Sequence, residues 1–231
     1  MAKLVFGAAG AKRYETGVDN GVLFTINPAT GQYNKGVVWN GLTSVTEKPT
    51  GAENNEQYAD NGVYANLISV EKFEGSIAAF TYPDTFMACD GTATVEPGVY
   101  LGQQNRVRFG LCYRTRVGND TLGDAYGEKL HFVWGALASP SEKQRSTVND
   151  SPEAAEFSWD FTTQKVNVAD VDGVKYRPTS YMSVDSTKVS VEDWEDLLDL
   201  VYGTEGSAGP PAVPGTDSTL PTPDALIALF S

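Results

Sequence analysis

Residues 106–117 read Arg-Val-Arg-Phe-Gly-Leu-Cys-Tyr-Arg-Thr-Arg-Val and alternate between two kinds of side chain. The odd positions, from Val107 to Val117, are mainly apolar, whereas four of the six even positions are arginine. Alternate side chains of a β-strand point to opposite faces of its sheet. The pattern therefore predicts one long strand, with an apolar face over a core and a basic face that needs carboxylates, nucleic acid or water.

The chain as a whole is acidic, with 17 Lys and Arg against 30 Asp and Glu and a formal net charge of -13. This balance argues against stable binding of DNA, RNA or an anionic membrane, because those partners attract basic surfaces. Hydrophobic residues make up 41% of the sequence, which excludes a disordered protein and provides for a sizeable core. A length of 231 residues fits one large β domain or two small ones.

Other β patterns flank the arginine-rich stretch. Residues 73–82 and 156–162 alternate, and residues 130–138 are apolar on both faces, which indicates a strand buried on both sides. Residues 22–26 form a further short β-like run. Residues 48–61 are polar and long for an unstructured connection, so we expect them to be mobile or engaged with a partner.

Two turn dipeptides predict β-hairpins. Asn40-Gly41 separates the short run 37–39 from residues 43–47, and Asp172-Gly173 separates the runs 166–171 and 174–176. Both dipeptides suit the two-residue turns that join antiparallel strands.

One segment, residues 190–202, has a convincing helical pattern. Ser190 and Asp193 have the spacing of a capping box, and Gly203 suits the C-terminal cap. From Trp194 the apolar residues recur at i, i+3, i+4 and i+7, a stripe that should lie across a sheet. The opposite face is wholly acidic and is a candidate lumen or surface lining, its members being Glu192, Glu195, Asp196 and Asp199.

The two ends of the chain read as separate segments. Residues 1–20 are predicted to form an N-terminal arm, residues 21–203 the β domain, and residues 204–231 a Pro/Gly-rich linker with a short apolar tail. In that tail, Thr222-Pro223 suits an N-cap followed by proline at the first helical position. The tail is predicted either to fold back on its own domain or to dock on a neighbour.

The sequence carries no recognisable catalytic site, metal site or cofactor site, and no enzyme activity is predicted. The single histidine, His131, lies within a predicted strand and is expected to be a core or sheet-face residue. Cys89 and Cys112 form no Cys-x-x-Cys motif and are expected to be reduced thiols of a cytosolic product. The apolar run at residues 4–11 is short for a signal peptide, and no later run could span a bilayer.

Self-association is the function that these features favour. Long polar loops and tags at both ends are typical of β proteins that join through edge strands and arms. The arginine face is predicted to meet carboxylates, either in the same chain or on the next subunit. The candidate contacts between subunits or rings are Glu53, Asn54, Asn55, Glu56, Arg106, Arg108, Arg114, Arg116, Leu226 and Phe230.

Short stretches through nearly the whole chain carry a family resemblance, and their ordered set is more specific than any one of them. They are Tyr14-Glu15-Thr16-Gly17-Val18, Trp39-Asn40-Gly41-Leu42-Thr43, Tyr82-Pro83-Asp84, Cys89-Asp90-Gly91, Gly102-Gln103-Gln104-Asn105-Arg106, Phe109-Gly110-Leu111, Tyr113-Arg114-Thr115, Ala138-Ser139-Pro140-Ser141-Glu142-Lys143 and Asn149-Asp150-Ser151-Pro152. Together they resemble the major tail (tail tube) proteins of long-tailed, non-contractile bacteriophages, especially those of Gram-positive hosts.

The resemblance implies a β-sandwich or barrel subunit with one flanking helix, extended loops and terminal arms. Six subunits would form a ring, and rings would stack into a tube around the tape measure protein, with the tail terminator and the distal tail or baseplate proteins as further partners. DNA would be present only in transit, and an acidic lumen would not hold a polyanion. The protein would be made and assembled in the bacterial cytoplasm and reside in the virion tail. Residues 48–61 and both termini would reach adjacent subunits or rings.

Two other classes of function compete with this interpretation. A carbohydrate-binding β-sandwich could use Trp39, Trp134 or Trp159 as stacking platforms, although these residues alternate in phase with apolar neighbours, as core residues do. A head or decoration protein of a virion would also be a β assembly.

Overall fold

The computed structural model describes residues 4, 6–147, 154–206 and 214–231. The predicted mostly β fold is confirmed, because antiparallel strands account for most of the regular structure. The motif Asn149-Asp150-Ser151-Pro152 and residues 207–213 of the predicted linker lie outside the described residues. In chain order the elements are β1 (Arg13–Thr25), β2 (Val37–Trp39), β3 (Leu42–Glu47), β4 (Asn54–Ala59), β5 (Gly62–Ile68), β6 (Glu74–Ala79), a 3-10 helix (Asp84–Ala88), β7 (Ala93–Glu96), β8 (Val99–Leu101), β9 (Phe109–Asn119), β10 (Gly123–Ala138), β11 (Phe157–Thr162), β12 (Tyr181–Asp185), α1 (Val191–Tyr202) and α2 (Pro223–Leu229).

Eight of these strands are connected through β10. On one side β10 pairs with β9; on the other, residues 129–133 pair with β12 and residues 137–138 pair with β11. Between the two, the register with β9 shifts beside Gly135, whose φ of 62° suits glycine. We call the order β2-β1-β9-β10-β12 the main sheet and the order β10-β11-β6-β3 the covering sheet.

The covering sheet lies across the main sheet. At one end of β3, Leu42 packs directly against Gly21 of β1. At the other end, Glu47 accepts a hydrogen bond from Tyr181 of β12. β3 therefore crosses the main sheet from β1 to β12.

Two hydrophobic cores cover the two faces of the main sheet, one core on each face. The inner core, between the sheets, is rich in aromatic side chains that meet edge to face, such as Phe86 and Trp159 with ring centroids 5.0 Å apart. The outer core lies between the main sheet and the two helices and contains Val22, Phe24, Cys112, Leu130, Phe132, Trp134, Val184, Leu197, Val201, Leu220 and Leu226. The main sheet is thus buried on both faces over most of its length.

This double burial corrects the prediction for residues 106–117. The strand begins only at Phe109, so Arg106 and Arg108 precede it. The face formed by the even-numbered residues is not open to solvent in the first half of β9. Cys112 is fully buried there, and Gly110 lies against Leu220 of the C-terminal segment. The helices that cover this face are distant in sequence, so the local alternation could not reveal them.

Several strand assignments also differ from the predictions. β1 begins at Arg13 and pairs with β9 along its length, so residues 13–20 of the predicted arm belong to the main sheet. β2 and β3 do not form a hairpin: β2 pairs with β1, and β3 pairs with β6. Around Asp172-Gly173 the predicted hairpin is present only in part, as two antiparallel bridges in one register, Val171 with Val174 and Val166 with Thr179, in place of a continuous ladder.

Both helices form where the sequence places them. The Ser190 hydroxyl accepts a hydrogen bond from the Asp193 N–H at 3.1 Å, which confirms the predicted start of α1. Thr222 caps α2 in the same way through the Ala225 N–H. Leu226 of α2 is fully buried in the outer core. The apolar tail therefore folds back on its own chain, one of the two outcomes that the sequence left open.

Candidate functional site

β4 and β5 form a hairpin that stands apart from the two sheets. Among the residues that the structure describes, they pair only with each other, and every residue of both strands except Ala65 is exposed. Asp60 and Asn61 form its turn, with φ values of 50° and 62°. Two successive residues with positive φ give the primed turn that joins strands tightly.

One face of this hairpin carries three exposed apolar side chains, Tyr58, Val63 and Ile68, interspersed with the polar Asn54, Glu56 and Asn66. The register places Tyr58 opposite Val63 and Asn54 opposite Ile68 on that face. Tyr58 is 70% exposed and Ile68 is 73% exposed, with no core beneath them. A two-stranded hairpin is marginally stable by itself, and exposed apolar patches mark interaction sites. The hairpin is therefore the strongest candidate interaction surface of the described structure.

The base of the hairpin is closed by two hydrogen bonds between Glu53 and Ser69. The Ser69 N–H donates to the Glu53 carbonyl at 2.9 Å, and the Glu53 N–H donates to the Ser69 hydroxyl at 2.9 Å. A bridge between Thr50 and Lys72 continues the ladder toward the sheets. The structure thus brings together four of the predicted contact residues, Glu53, Asn54, Asn55 and Glu56, at the base and first strand of the hairpin.

A second small hairpin, β7–β8, is also separate from both sheets. Within the described ranges its strands pair only with each other, and Gly98 in the turn has a φ of 83°. Val95, Val99 and Tyr100 are each more than half exposed. This hairpin adds a smaller open apolar surface to the molecule.

The main sheet ends in two open edges. β2 covers only residues 21–23 of β1, and over the described ranges no strand pairs with residues 13–19 on the side away from β9. β12 likewise has a partner only on its β10 side. Unpaired edges carry free N–H and C=O groups that can add a strand from another chain.

The four arginines bind groups of their own chain. Arg106 donates to the Asp90 carbonyl at 3.0 Å, and Arg108 donates to the Gly135 carbonyl at 2.8 Å. Arg106 therefore ties the start of β9 to the loop at Asp90, and Arg108 ties it to β10.

Arg114 and Arg116 form an ion-pair cluster with carboxylates of neighbouring strands. Arg114 forms a fork with Asp19 at 2.7 and 3.0 Å and reaches Glu128 at 2.7 Å. Arg116 lies 3.3 Å from the same Asp19 carboxylate. The pKa of Asp19 is lowered, chiefly by its hydrogen bond from Arg114. The sequence left open whether the carboxylates that meet the arginine face belong to the same chain or to the next subunit; those that bind Arg114 and Arg116 belong to the same chain.

His131 lies in a buried polar cluster between the two sheets. Its Nε2 is 2.8 Å from the Thr115 hydroxyl, which donates to Glu15 at 2.6 Å. Its Nδ1 is 2.7 Å from the Tyr181 hydroxyl, which donates to Glu47 at 3.0 Å. A hydroxyl has only one proton to donate, and the Thr115 and Tyr181 hydroxyls donate theirs to Glu15 and Glu47. Both ring nitrogens of His131 therefore face oxygens that can only accept a hydrogen bond.

The same cluster changes the acidity of its carboxyl groups. The pKa of Glu47 is lowered, first by the His131 ring 3.4 Å away, with burial opposing and the Tyr113 and Tyr181 hydroxyls assisting. Burial raises the pKa of Glu15, but hydrogen bonds from Lys129 and Thr115 outweigh it, so the net change is downward. The cluster joins β1 and β3 to β9, β10 and β12, which makes it a structural link between the sheets.

The remaining predicted residues fall in different places. The acidic face of α1, formed by Glu192, Glu195, Asp196 and Asp199, is exposed as expected. Phe230 is half-buried against the outer core, and Leu226 is enclosed by it.

The three candidate stacking tryptophans are buried, each with at most 2% of its surface exposed. Trp39 and Trp134 use their ring N–H groups to bind the backbone carbonyls of Thr81 and Pro221. They pack inside the cores, so the carbohydrate platform that the sequence left open is wrong for these residues.

Both cysteines are buried and unpaired with each other. Burial raises the pKa of Cys89 to about 12, and that of Cys112 rises for the same reason.

Over the part of the chain that the structure describes, no group of three or more His, Cys, Asp or Glu side chains is arranged to hold a metal ion. No helix among the described residues is long and apolar enough to cross a lipid bilayer.

Comparison with known proteins adds no family assignment. A scan against protein-family models gives no match, and a search of curated proteins gives no significant match.

Proposed function

We propose that this chain is the major subunit of a non-contractile bacteriophage tail tube, a virion structural protein that assembles into stacked hexameric rings. The observation that carries the proposal is the β4–β5 hairpin: its face with the exposed Tyr58, Val63 and Ile68 is open, and its two strands have no other partner among the described residues. A second copy that covers this face would remove it from water and supply the packing that the hairpin lacks. The hairpin would therefore be most stable in the assembled tube.

The two open edges of the main sheet support the same conclusion. They lie on β1 and on β12, at opposite sides of one sheet. Joining β12 of one copy to β1 of the next would pair two different surfaces, which gives a ring when the rotation closes and an open helix when it does not. A sheet continued around a ring has no free edge. The number six comes from the family resemblance and not from these edges.

The acidic balance of the chain suits a conduit for DNA. A formal net charge of -13 disfavours lasting contact with a polyanion, so a genome could pass without being held. The exposed acidic face of α1 contributes to this charge wherever it lies in the assembly. By resemblance, the tape measure protein would fill the lumen before ejection, and the tail terminator and distal tail proteins would bind the two ends.

Electron microscopy of the purified protein at high concentration tests the proposal. Rings or tubes of one diameter are the expected result. Discrete monomers at every concentration would reject it, and closed shells or binding to heads would favour a head or decoration protein.

Deletion of the β4–β5 hairpin tests whether assembly depends on it. Residues 54–68 can be replaced by a short Gly-Ser connection, because the backbones of Glu53 and Ser69 are already joined at 2.9 Å. We expect a folded monomer with unchanged thermal unfolding and no tubes. Normal tubes from this variant would reject the proposed role of the hairpin.

Point variants within the hairpin provide a matched control. The pair Tyr58→Ser and Ile68→Ser removes two large apolar side chains from one face, whereas Asn55→Ser and Gln57→Ser change the other face of the hairpin. We expect the first pair to raise the concentration needed for assembly at least tenfold and the second pair to change it little. Equal effects would show that Tyr58 and Ile68 are not the contact.

A further inference from the structure

The strand pairs β3–β6 and β4–β5 belong to one long ribbon. The register between its two strands is the same at five opposed pairs, which are Ser44 with Ala78, Glu47 with Gly75, Thr50 with Lys72, Asn54 with Ile68 and Gln57 with Ala65. The hairpin is therefore an outward extension of the covering sheet. We call the ribbon around Glu47 and Phe73, where β3 ends and just before β6 begins, the root of the hairpin.

Tyr181 of β12 contacts both strands of the root. Its hydroxyl donates to Glu47 at 3.0 Å, and its ring stacks on Phe73 with the ring centroids 4.7 Å apart. The Tyr113 hydroxyl of β9 gives Glu47 a second hydrogen bond at 2.7 Å. The root is therefore held on the main sheet by one carboxylate and one pair of stacked rings.

His131 of β10 binds the Tyr181 hydroxyl from the other side. Its Nδ1 is 2.7 Å from that oxygen, and its ring stacks on Tyr113 with an interplanar angle of 3°. The hydroxyls at Nδ1 and Nε2 both give their protons to carboxylates, so each can only accept from the ring. Both contacts are satisfied together only when each ring nitrogen carries a proton. His131 is then a cation with 5% of its side chain exposed.

The two carboxylates beside His131 depend on its charge unequally. Glu15 of β1 lies 3.3 Å from Nε2 and also accepts a hydrogen bond from Lys129 of β10 at 2.6 Å. Glu47 of β3 lies 3.4 Å from Nδ1, and among the described residues it has no second cation within ion-pair distance. Loss of one ring proton would leave Glu15 with Lys129 but Glu47 with hydroxyl groups alone. The root is therefore the part of the cluster that the charge of His131 controls.

The acidic and phenolic groups of the cluster keep their charge between about pH 5 and pH 9. Glu15 and Glu47 stay ionised there, because their pKa values are lowered in the folded chain. Tyr113 and Tyr181 keep their protons, because burial raises their pKa values. Histidine is the side chain whose charge ordinarily changes between pH 5 and pH 8.

We propose that His131 is a proton-dependent latch on the root of the β4–β5 hairpin. With two ring protons it holds the Tyr181 hydroxyl on Glu47 and keeps the root against the main sheet. With one ring proton Glu47 loses its cation, and the root separates more often from β12. The latch acts within one chain, so it does not depend on the proposed function.

Hydrogen exchange measured by mass spectrometry on dilute protein from pH 5 to pH 9 tests the latch. Exchange at the C2 carbon of imidazole reports the protonation of the ring, and the chain has a single histidine. Amide exchange, corrected for its intrinsic pH dependence, reports the root through Thr50 and Lys72, whose N–H groups donate to each other's carbonyls. The control is the Phe80 N–H, which donates to the Gly41 carbonyl at the far end of the same ribbon.

We expect the protection of the root amides to fall about tenfold over the pH range in which the ring loses its second proton. The protection of Phe80 should stay constant. A ring that loses its proton without any change at the root overturns the latch. An equal fall at Phe80 also overturns it, and so does a ring whose protonation stays the same from pH 5 to pH 9.

Two variants separate the latch from a general effect of pH. Tyr181→Phe removes the hydroxyl and keeps the ring that stacks on Phe73, so the root should exchange fast at every pH while the ring still titrates. Glu15→Gln is the matched control, because it changes the other carboxylate beside His131. Its root should still follow the ring. A root that follows the ring in Tyr181→Phe, or no longer follows it in Glu15→Gln, overturns the proposal.

Discussion

β9–β10 and β4–β5 are both antiparallel pairs of neighbouring strands, yet their surroundings are opposite. β9 and β10 have partner strands on both sides over much of their length and hydrophobic cores on both faces. β4 and β5 have open edges and open faces, although they too carry large apolar side chains. The first pair uses its apolar residues to fold the chain. The second pair leaves them available, so substitutions there should affect association and hardly affect unfolding.

The largest effect on stability is expected in the first pair. Phe132→Ala removes a fully buried ring from the outer core beneath the helices. We expect a loss of about 3–5 kcal/mol in the free energy of unfolding, measured by urea denaturation. A loss below about 1 kcal/mol would break the contrast between the two strand pairs.

The ion-pair cluster of Arg114 and Arg116 with Asp19 and Glu128 should contribute less to the free energy of unfolding. Asp19→Asn removes the carboxylate that Arg114 grips, and both side chains are partly screened by solvent. We expect a loss of about 1–2 kcal/mol, between the values for surface and buried pairs. A double-mutant cycle with Arg114→Leu measures the coupling, and additive losses would show that the pair does not stabilise the sheet.

The His131 cluster predicts a pH dependence. Because folding lowers the pKa of Glu47, the unfolded chain binds more protons near the ordinary glutamate pKa of about 4.3. The stabilisation is complete above that value and is lost as the pH falls through the lower folded pKa. Urea midpoints from pH 6 to pH 3 should fall more steeply for the wild type than for Glu47→Gln. Parallel curves would contradict this assignment.

The smallest effect on stability is expected in the hairpin. Tyr58→Ser should change the free energy of unfolding by less than about 0.5 kcal/mol, because the ring is 70% exposed. Thermal unfolding of dilute monomer measures this, with Asn55→Ser as the matched change on the other face. A loss comparable to that of Phe132→Ala would mean that the hairpin belongs to the folding core.

The sequence predicts best those elements whose pattern is decided locally. α1 is predicted from its cap and apolar stripe, and β11 from the alternation of Phe157, Trp159 and Phe161. The double burial of residues 130–138 is also correct, because a short run that is apolar on both faces must be covered on both faces to leave water. In each case the residues that decide the structure are neighbours in the chain.

The elements that the sequence does not reveal depend on distant partners. β12 is short and carries only a weak alternation, and it forms because β10 offers an edge. The first part of β1 contains Gly17, Asp19 and Asn20, which are poor strand formers, and it is held by β9. The β4–β5 hairpin has a usable signal in Asp60-Asn61-Gly62, which is obscured by the polarity of the residues around it.

The candidate assembly surface is only partly predictable. Residues 53–56 stand out in the sequence because the stretch is polar and long, and they do lie together at the hairpin. The neighbouring apolar residues that give the hairpin its open face, such as Tyr58 and Ile68, do not stand out, because their exposure cannot be read from one strand alone. The register between strands decides which side chains share a face.

The sharing of β10 between both sheets has a consequence for synthesis. The first strand to leave the ribosome, β1, pairs with β9, and Tyr14 bonds Asp124, 110 residues downstream. The covering sheet is equally incomplete until β10 and β11 have emerged. The pairs β1–β2, β3–β6, β4–β5 and β7–β8 can form early, but neither sheet can be completed until late in translation, which favours a late, slow, cooperative folding step. A cell that needs many copies would have to protect these nascent chains from one another before any of them is ready to join.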